Sequence, residues 1–208
     1  MHDKTHVVVI HGGETFDTDA QYEEMLRTRP IDLERLRPGL SWKSTLQESL
    51  GERFDVLAPK MPGADNAQYA LWSLWFSRII PLLHDNLILI GHSLGGIFLV
   101  RYLGENAIDL PIRATILIAP PFGDTPDESL ASFRLPEDTS SLFTHFSKQA
   151  GEVHILHSTD DPVVPYEHAA RFKETLQGAT LHTFEDRKHF NDAEFPELVS
   201  LLTSLASQ

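Results

Sequence analysis

Short apolar runs alternate along the chain with longer stretches in which apolar residues recur at helical spacing. Val7–Ile10, Phe54–Leu57, Leu87–Ile90, Thr115–Ile118, Val153–Leu156 and Thr180–Phe184 predict strands. The first four are apolar throughout or nearly so, as expected when helices cover both faces of a parallel sheet. The last two alternate with polar residues, which suits positions nearer a sheet edge. Helices are predicted over Asp19–Arg27, Trp42–Leu50, Asn66–Leu83, Leu94–Glu105, Thr139–Ala150, Glu167–Leu176 and Asp192–Leu205, the last capped by Asn191 or Asp192.

This alternation predicts an α/β fold, a three-layer sandwich with a mostly parallel six-stranded sheet and right-handed crossovers. The 208 residues suit a single domain over 1–208, with no repeat or linker to divide it. Two segments depart from the pattern. The first connection is long (14–50), and 120–150 lacks clean periodicity until its final helix, so it is expected to overhang the site like a cap. Ligands in such sheets bind beyond the carboxyl ends of the strands. The polar residues just after each strand therefore carry the expected chemistry.

After the third strand comes Gly91-His92-Ser93-Leu94-Gly95-Gly96, a G-x-S-x-G at a strand-to-helix turn. Such a nucleophile elbow lifts a serine hydroxyl clear of the sheet, and flanking glycines remove Cβ atoms that would collide there. His11-Gly12-Gly13 follows the first strand, Ser158-Thr159-Asp160-Asp161-Pro162 the fifth, and Asp186-Arg187-Lys188-His189 the sixth. A hydroxyl nucleophile, a base, a carboxylate that sets the base's tautomer and donors for an oxyanion are thus all available. They occur in the order Ser, Asp, His used by α/β-hydrolases. The expected catalytic residues are Ser93, Asp161 and His189, with the backbone N–H groups of Gly13 and Leu94 as oxyanion donors. Asp160 competes for the carboxylate role. Asp161 is favoured because Pro162 holds it extended, which leaves Asp160 as a turn-former or cap.

Other residues have plainer readings. His11 is expected to brace the first loop and His92 to pack within the elbow. His154 and His157 are three apart on a strand and face opposite sides, and there is no H-E-x-x-H, so no metal site is expected. Tyr69, Trp72, Trp75 and Phe76 fall at helical spacing and read as core. Phe122 and Phe143 are candidate substrate contacts, since loops after the fourth strand overhang the site in this architecture.

Composition narrows the partners. Seventeen Lys and Arg against 30 Asp and Glu leave a formal charge of −13, which opposes nucleic acid and anionic lipid and slightly disfavours anionic substrates. The absence of cysteine excludes disulfides, thiolate zinc sites and a cysteine nucleophile. With Val7–Ile10 too short for a signal core and no membrane-length apolar run, a cytoplasmic protein is expected.

The chain resembles the small α/β-hydrolases of the retinoblastoma-binding-protein-9-like serine hydrolase family. The likeness is carried by Ile90-Gly91-His92-Ser93, by Ser158-Thr159-Asp160-Asp161-Pro162 with Pro165, and by His189-Phe190, with Lys60-Met61-Pro62 and Trp42 as lesser points. It implies a minimal α/β-hydrolase sheet with nucleophile, acid and base at Ser93, Asp161 and His189. Two features depart from it. Lys188 stands where relatives commonly have glycine, and Glu14–Ser41, with Phe16, Tyr22 and Glu23-Glu24, makes an unusually long first connection expected to form part of the site's rim. The expected function is cleavage of small carboxylic esters through an acyl-enzyme, with no cofactor and a small acyl substrate as partner. Peptidase, thioesterase or lactonase activity, or a binding scaffold with little turnover, are the alternatives.

Overall fold

The computed structural model describes residues 4–33, 36–37, 39–125 and 127–207. Its elements run β1 (Thr5–Ile10), α1 (Asp19–Thr28), α2 (Trp42–Leu50), β2 (Phe54–Leu57), α3 (Tyr69–Ile79), β3 (Leu87–His92), α4 (Leu94–Glu105), β4 (Ile112–Ile118), α5 (Ser140–Gln149), β5 (Glu152–Ser158), α6 (Glu167–Thr175), β6 (Thr180–Phe184) and α7 (Pro196–Leu205). The six strands form one sheet in the order β2-β1-β3-β4-β5-β6. Every pairing is parallel, so the expected "mostly parallel" sheet is wholly so.

Alternation within the strands divides the core into two layers. Val8, Ile10, Leu87 and Leu89 face the layer built by Trp72 and Phe76 of α3, Phe98 of α4, Phe146 of α5 and Phe172 of α6. Val7, Val9, Ile88 and Ile90 face the opposite layer, with Trp42 and Leu46 of α2 and Leu198 and Leu202 of α7. Helices on both sides explain why the central strands are apolar on both faces. Helix α1 stands apart, with no buried residue. Its Thr18 cap, reciprocated by Gln21, starts it without help from the core.

Some boundaries shift. Asn66 and Ala67 belong to a turn, where their N–H groups are bonded to Gly63 O and Glu14 O, so α3 starts at Tyr69. The last helix starts at Pro196 rather than Asp192. Proline suits the first helical position and disfavours helical backbone in the residue before it. The carbonyls of Asp192 and Ala193 instead accept from Trp42 N–H and Thr45 Oγ1. Tyr69, Trp72 and Phe76 are core as expected, whereas Trp75 is 40% exposed.

Candidate active site

The strand order reverses direction between β1 and β3, opening a crevice at their carboxyl ends. Ser93 stands at this point with φ 54° and ψ −123°, the left-handed backbone that a sharp strand-to-helix turn imposes on a side chain. Two glycines make the turn possible. A Cβ on Gly91 would collide with the backbone of Gly95 and Gly96, and one on Gly95 with the carbonyls of Ile10 and His11. The β1 loop closes on the elbow, since a Cβ on Gly12 would come within 3.1 Å of Ser93 Cβ. Gly13 and Leu94 line a cavity with Ser93. Leu94 opens α4, where the first N–H groups have no intrahelical acceptor.

His11 braces this loop. Its Nε2 accepts from Met61 N–H at 2.9 Å, so its proton resides on Nδ1, 2.5 Å from Gly12 O.

The loops after β5 and β6 bring a carboxylate to an imidazole. His189 Nδ1 donates to Asp161, 2.9 Å from Oδ2 and 3.1 Å from Oδ1. The Asp161 side chain is fully buried, and its Oδ1 also accepts from Val163 N–H at 2.8 Å and Val164 N–H at 3.0 Å. That set of donors holds one carboxylate orientation and leaves His189 Nε2 as the acceptor. Asp160, an exposed neighbour, has a different task. Its Oδ1 accepts from Ser158 Oγ at 2.5 Å and Lys188 N–H at 2.9 Å, bonds that hold its pKa below the usual carboxylate value.

His92 and His157 are buried, and burial pushes both imidazoles below their ordinary pKa, well below in the case of His92. Each donates from Nε2 to a carbonyl, His92 to His189 O and His157 to Val164 O, both at 2.8 Å. Lys188 and Phe190, flanking His189, adopt φ of 47° and 53°. A non-glycine residue there costs on the order of 1 kcal/mol or more.

Ser93 and His189 both line a cavity of about 810 Å³ with Met25, Leu26, Ile31, Leu36 and Val163. Ser93 also borders an adjoining cavity of about 650 Å³ with Pro121, Leu130, Phe16 and Glu128. Helix α1 and the residues just after it thus wall the site, in a segment whose lining residues carry no motif visible in sequence. Charge at this wall is largely acidic. Arg29 is paired with Glu14 through two bonds of 2.9 and 2.7 Å, and Glu128 is pushed above its ordinary pKa by burial.

Phe122 and Phe143 do not occupy the position expected of substrate contacts. Their rings stack on each other at 5.8 Å, and Phe122 meets Phe172 edge-on at 4.8 Å. Phe143 is part of the core, and neither residue lines the cavities at Ser93. The loop after β4 reaches the site instead through Pro121 and residues 127–130. His154 bonds His182 across β5 and β6 at 3.0 Å. Among the described residues no group of three potential ligands is placed to hold a metal.

Comparison with known proteins agrees with this architecture. Residues 37–204 match the family model described as serine hydrolase. Serine hydrolase RBBP9 of Rattus norvegicus is 32% identical over 158 residues, 73% of this chain and 78% of that protein. The chain belongs to the serine hydrolase family. Among solved structures, the ydeN gene product of B. subtilis superposes on this hydrolase with a TM-score of 0.73 at 19% identity, covering 99% of this chain and all of the other. Paleococcus ferrophilus monoacylglycerol lipase does so with a TM-score of 0.59 at 19% identity, covering 98% and 96%. At these identities the likeness establishes the α/β-hydrolase fold.

Proposed function

We propose that this hydrolase cleaves small carboxylic esters through a Ser93–His189–Asp161 triad and an acyl-enzyme. The observation that carries the reading is the 2.9 Å bond from His189 Nδ1 to the buried Asp161 carboxylate, beside a cavity that His189 shares with Ser93. Ser93 Oγ attacks the ester carbonyl as its proton passes to His189 Nε2. The C–O bond to the alcohol then breaks, and the imidazolium returns the proton to the departing oxygen. Water repeats the sequence, releasing the carboxylic acid and restoring the serine. Asp161 keeps the imidazole in the reactive tautomer and offsets its transient charge. The N–H groups of Gly13 and Leu94 receive the oxyanion, a contribution of about 3 kcal/mol per donor.

The apolar wall of Met25, Leu26, Ile31 and Leu36 suits a hydrocarbon acyl chain. A cytoplasmic setting belongs to the same reading. Among the described residues no helix is long and apolar enough to cross a membrane. The test is a series of p-nitrophenyl esters and aminoacyl amides, with fluorophosphonate labelling, on wild type and Ser93→Ala. Turnover and labelling lost in Ser93→Ala support the reading. A folded wild type that resists the probe at neutral pH overturns it in favour of a binding scaffold.

A further inference from the structure

The carbonyls of His189 and Phe190 are consecutive, and each accepts from a buried ring N–H. His92 Nε2 donates to His189 O at 2.8 Å, and Trp42 Nε1 donates to Phe190 O at 2.8 Å. Trp42 is 1% exposed and His92 4% exposed, so water does not compete for either bond. The two rings pack edge-on, with centroids 6.2 Å apart and planes at 87°, which fixes the donors relative to one another. Trp42 N–H adds a third tie, to Asp192 O at 2.9 Å.

The loop held in this way is also tied by Lys188 N–H to Asp160 Oδ1 and by Arg187 N–H to Ser158 Oγ. It follows β6, the edge strand, and carries left-handed backbone on both sides of His189. The donors come from informative places. His92 immediately precedes Ser93, so the base's backbone is tied directly to the elbow that presents the nucleophile. Trp42 begins α2, far away in sequence.

We infer that Trp42 and His92 are positioning residues for the base, a clasp that sets where the His189 imidazole stands relative to Ser93. The inference rests on the triad reading above. Misplacing a catalytic group by about 1 Å costs on the order of a hundredfold in rate. The clasp acts on the chemical step, and Trp42 lies outside the cavity that His92 borders, so loss of the Trp42 bond lowers kcat and spares KM. His92 is held neutral by burial and grips the His189 carbonyl through its Nε2–H, a bond that a glutamine amide in its place can supply.

The experiment compares Trp42→Phe, His92→Leu and His92→Gln with wild type and Ser93→Ala on p-nitrophenyl acetate. Melting curves and near-ultraviolet dichroism establish folding. Trp42→Phe and His92→Leu are expected to lower kcat about ten- to a hundredfold, with KM within about twofold in Trp42→Phe. His92→Gln is expected to recover most of the loss, and the low-field proton NMR signal of the His189 Nδ1–H is expected to broaden in the first two variants alone. Should Trp42→Phe fail to fold, the His92 pair decides. Folded Trp42→Phe and His92→Leu proteins with wild-type kcat, or a loss that His92→Gln does not repair, overturn the clasp. If Ser93→Ala retains full turnover, the triad itself fails, a result separable from failure of the clasp.

Discussion

Arg134 holds Asp17 by two bonds, Nη1 to Oδ1 at 2.7 Å and Nη2 to Oδ2 at 3.1 Å, while its Nε reaches Asp124 Oδ2 at 2.8 Å. Ser129 Oγ donates to the same Asp17 carboxylate at 2.9 Å, and Thr15 Oγ1 donates to Ser129 O. The long first connection is thereby joined to the loop after β4. Because α1 buries no side chain, these polar contacts do the work that core packing does for the other helices.

Arg134→Ala should therefore loosen α1 while leaving the core intact. Trypsin cleavage after Arg27 is expected to accelerate, with little change in Tm, because ion pairs this exposed add little to global stability. Added salt should act in the same direction on wild type. Unchanged proteolysis in the variant would mean that other contacts secure the helix.

The adjacent aspartates should separate cleanly by kinetics. Asp161→Asn removes the charge beside His189 and favours the wrong imidazole tautomer, so kcat should fall by about four orders of magnitude. Asp160→Asn keeps an acceptor for Ser158 Oγ and Lys188 N–H, and should stay within about tenfold of wild type. The reverse ranking, measured on one ester, would reassign the carboxylate.

The wall around Ser93 should discriminate by substrate charge. Glu14, Glu24, Asp127 and Glu128 border the cavity of about 650 Å³, against Arg29 as the one cation among its described lining residues. Esters with a terminal carboxylate are expected to show lower kcat/KM than neutral isosteres, the gap narrowing with salt and in Glu128→Gln. Equal rates for both at low salt would remove any role for this field.

Stability should depend on pH through the buried histidines. Burial lowers the pKa of His92, His154, His157, His168 and His182, so the unfolded chain binds protons more readily than the folded one. Their contribution is complete above the unfolded value of about 6.5 and is lost as pH falls below it. Tm is expected to drop between about pH 7 and 5. His154→Gln should make that slope shallower, and a flat Tm profile would show that the folded protein accommodates these charges.

Much of the fold can be read from local pattern. The positions of all six strands, the helix starting at Leu94 and the exact span Trp42–Leu50 follow from apolar spacing and turn residues, because these act over a few neighbours. The elbow at Ser93 is legible for the same reason, since strand, glycines and helix lie in one short stretch. The preference for Asp161 over Asp160 rested on Pro162, and the bond to His189 is the matching geometry. Phe122 and Phe143 are ambiguous in sequence because aromatic residues in an irregular stretch look alike whether they face a ligand or the core. Their packing against Phe172 depends on α6, which spacing around residue 122 cannot reveal.

The amino-acid order alone determined the strand–helix alternation, the candidate nucleophile, acid and base, and the acidic charge, all of which depend on residue identity and short-range periodicity. Only the folded chain decided that β1 and β3 lie side by side, that α1 walls the cavity, and that Trp42 and His92 grip the carbonyls beside the imidazole. Those relations join residues far apart along the chain. They depend on which strands pair and how each side chain is directed, and long-range packing sets both.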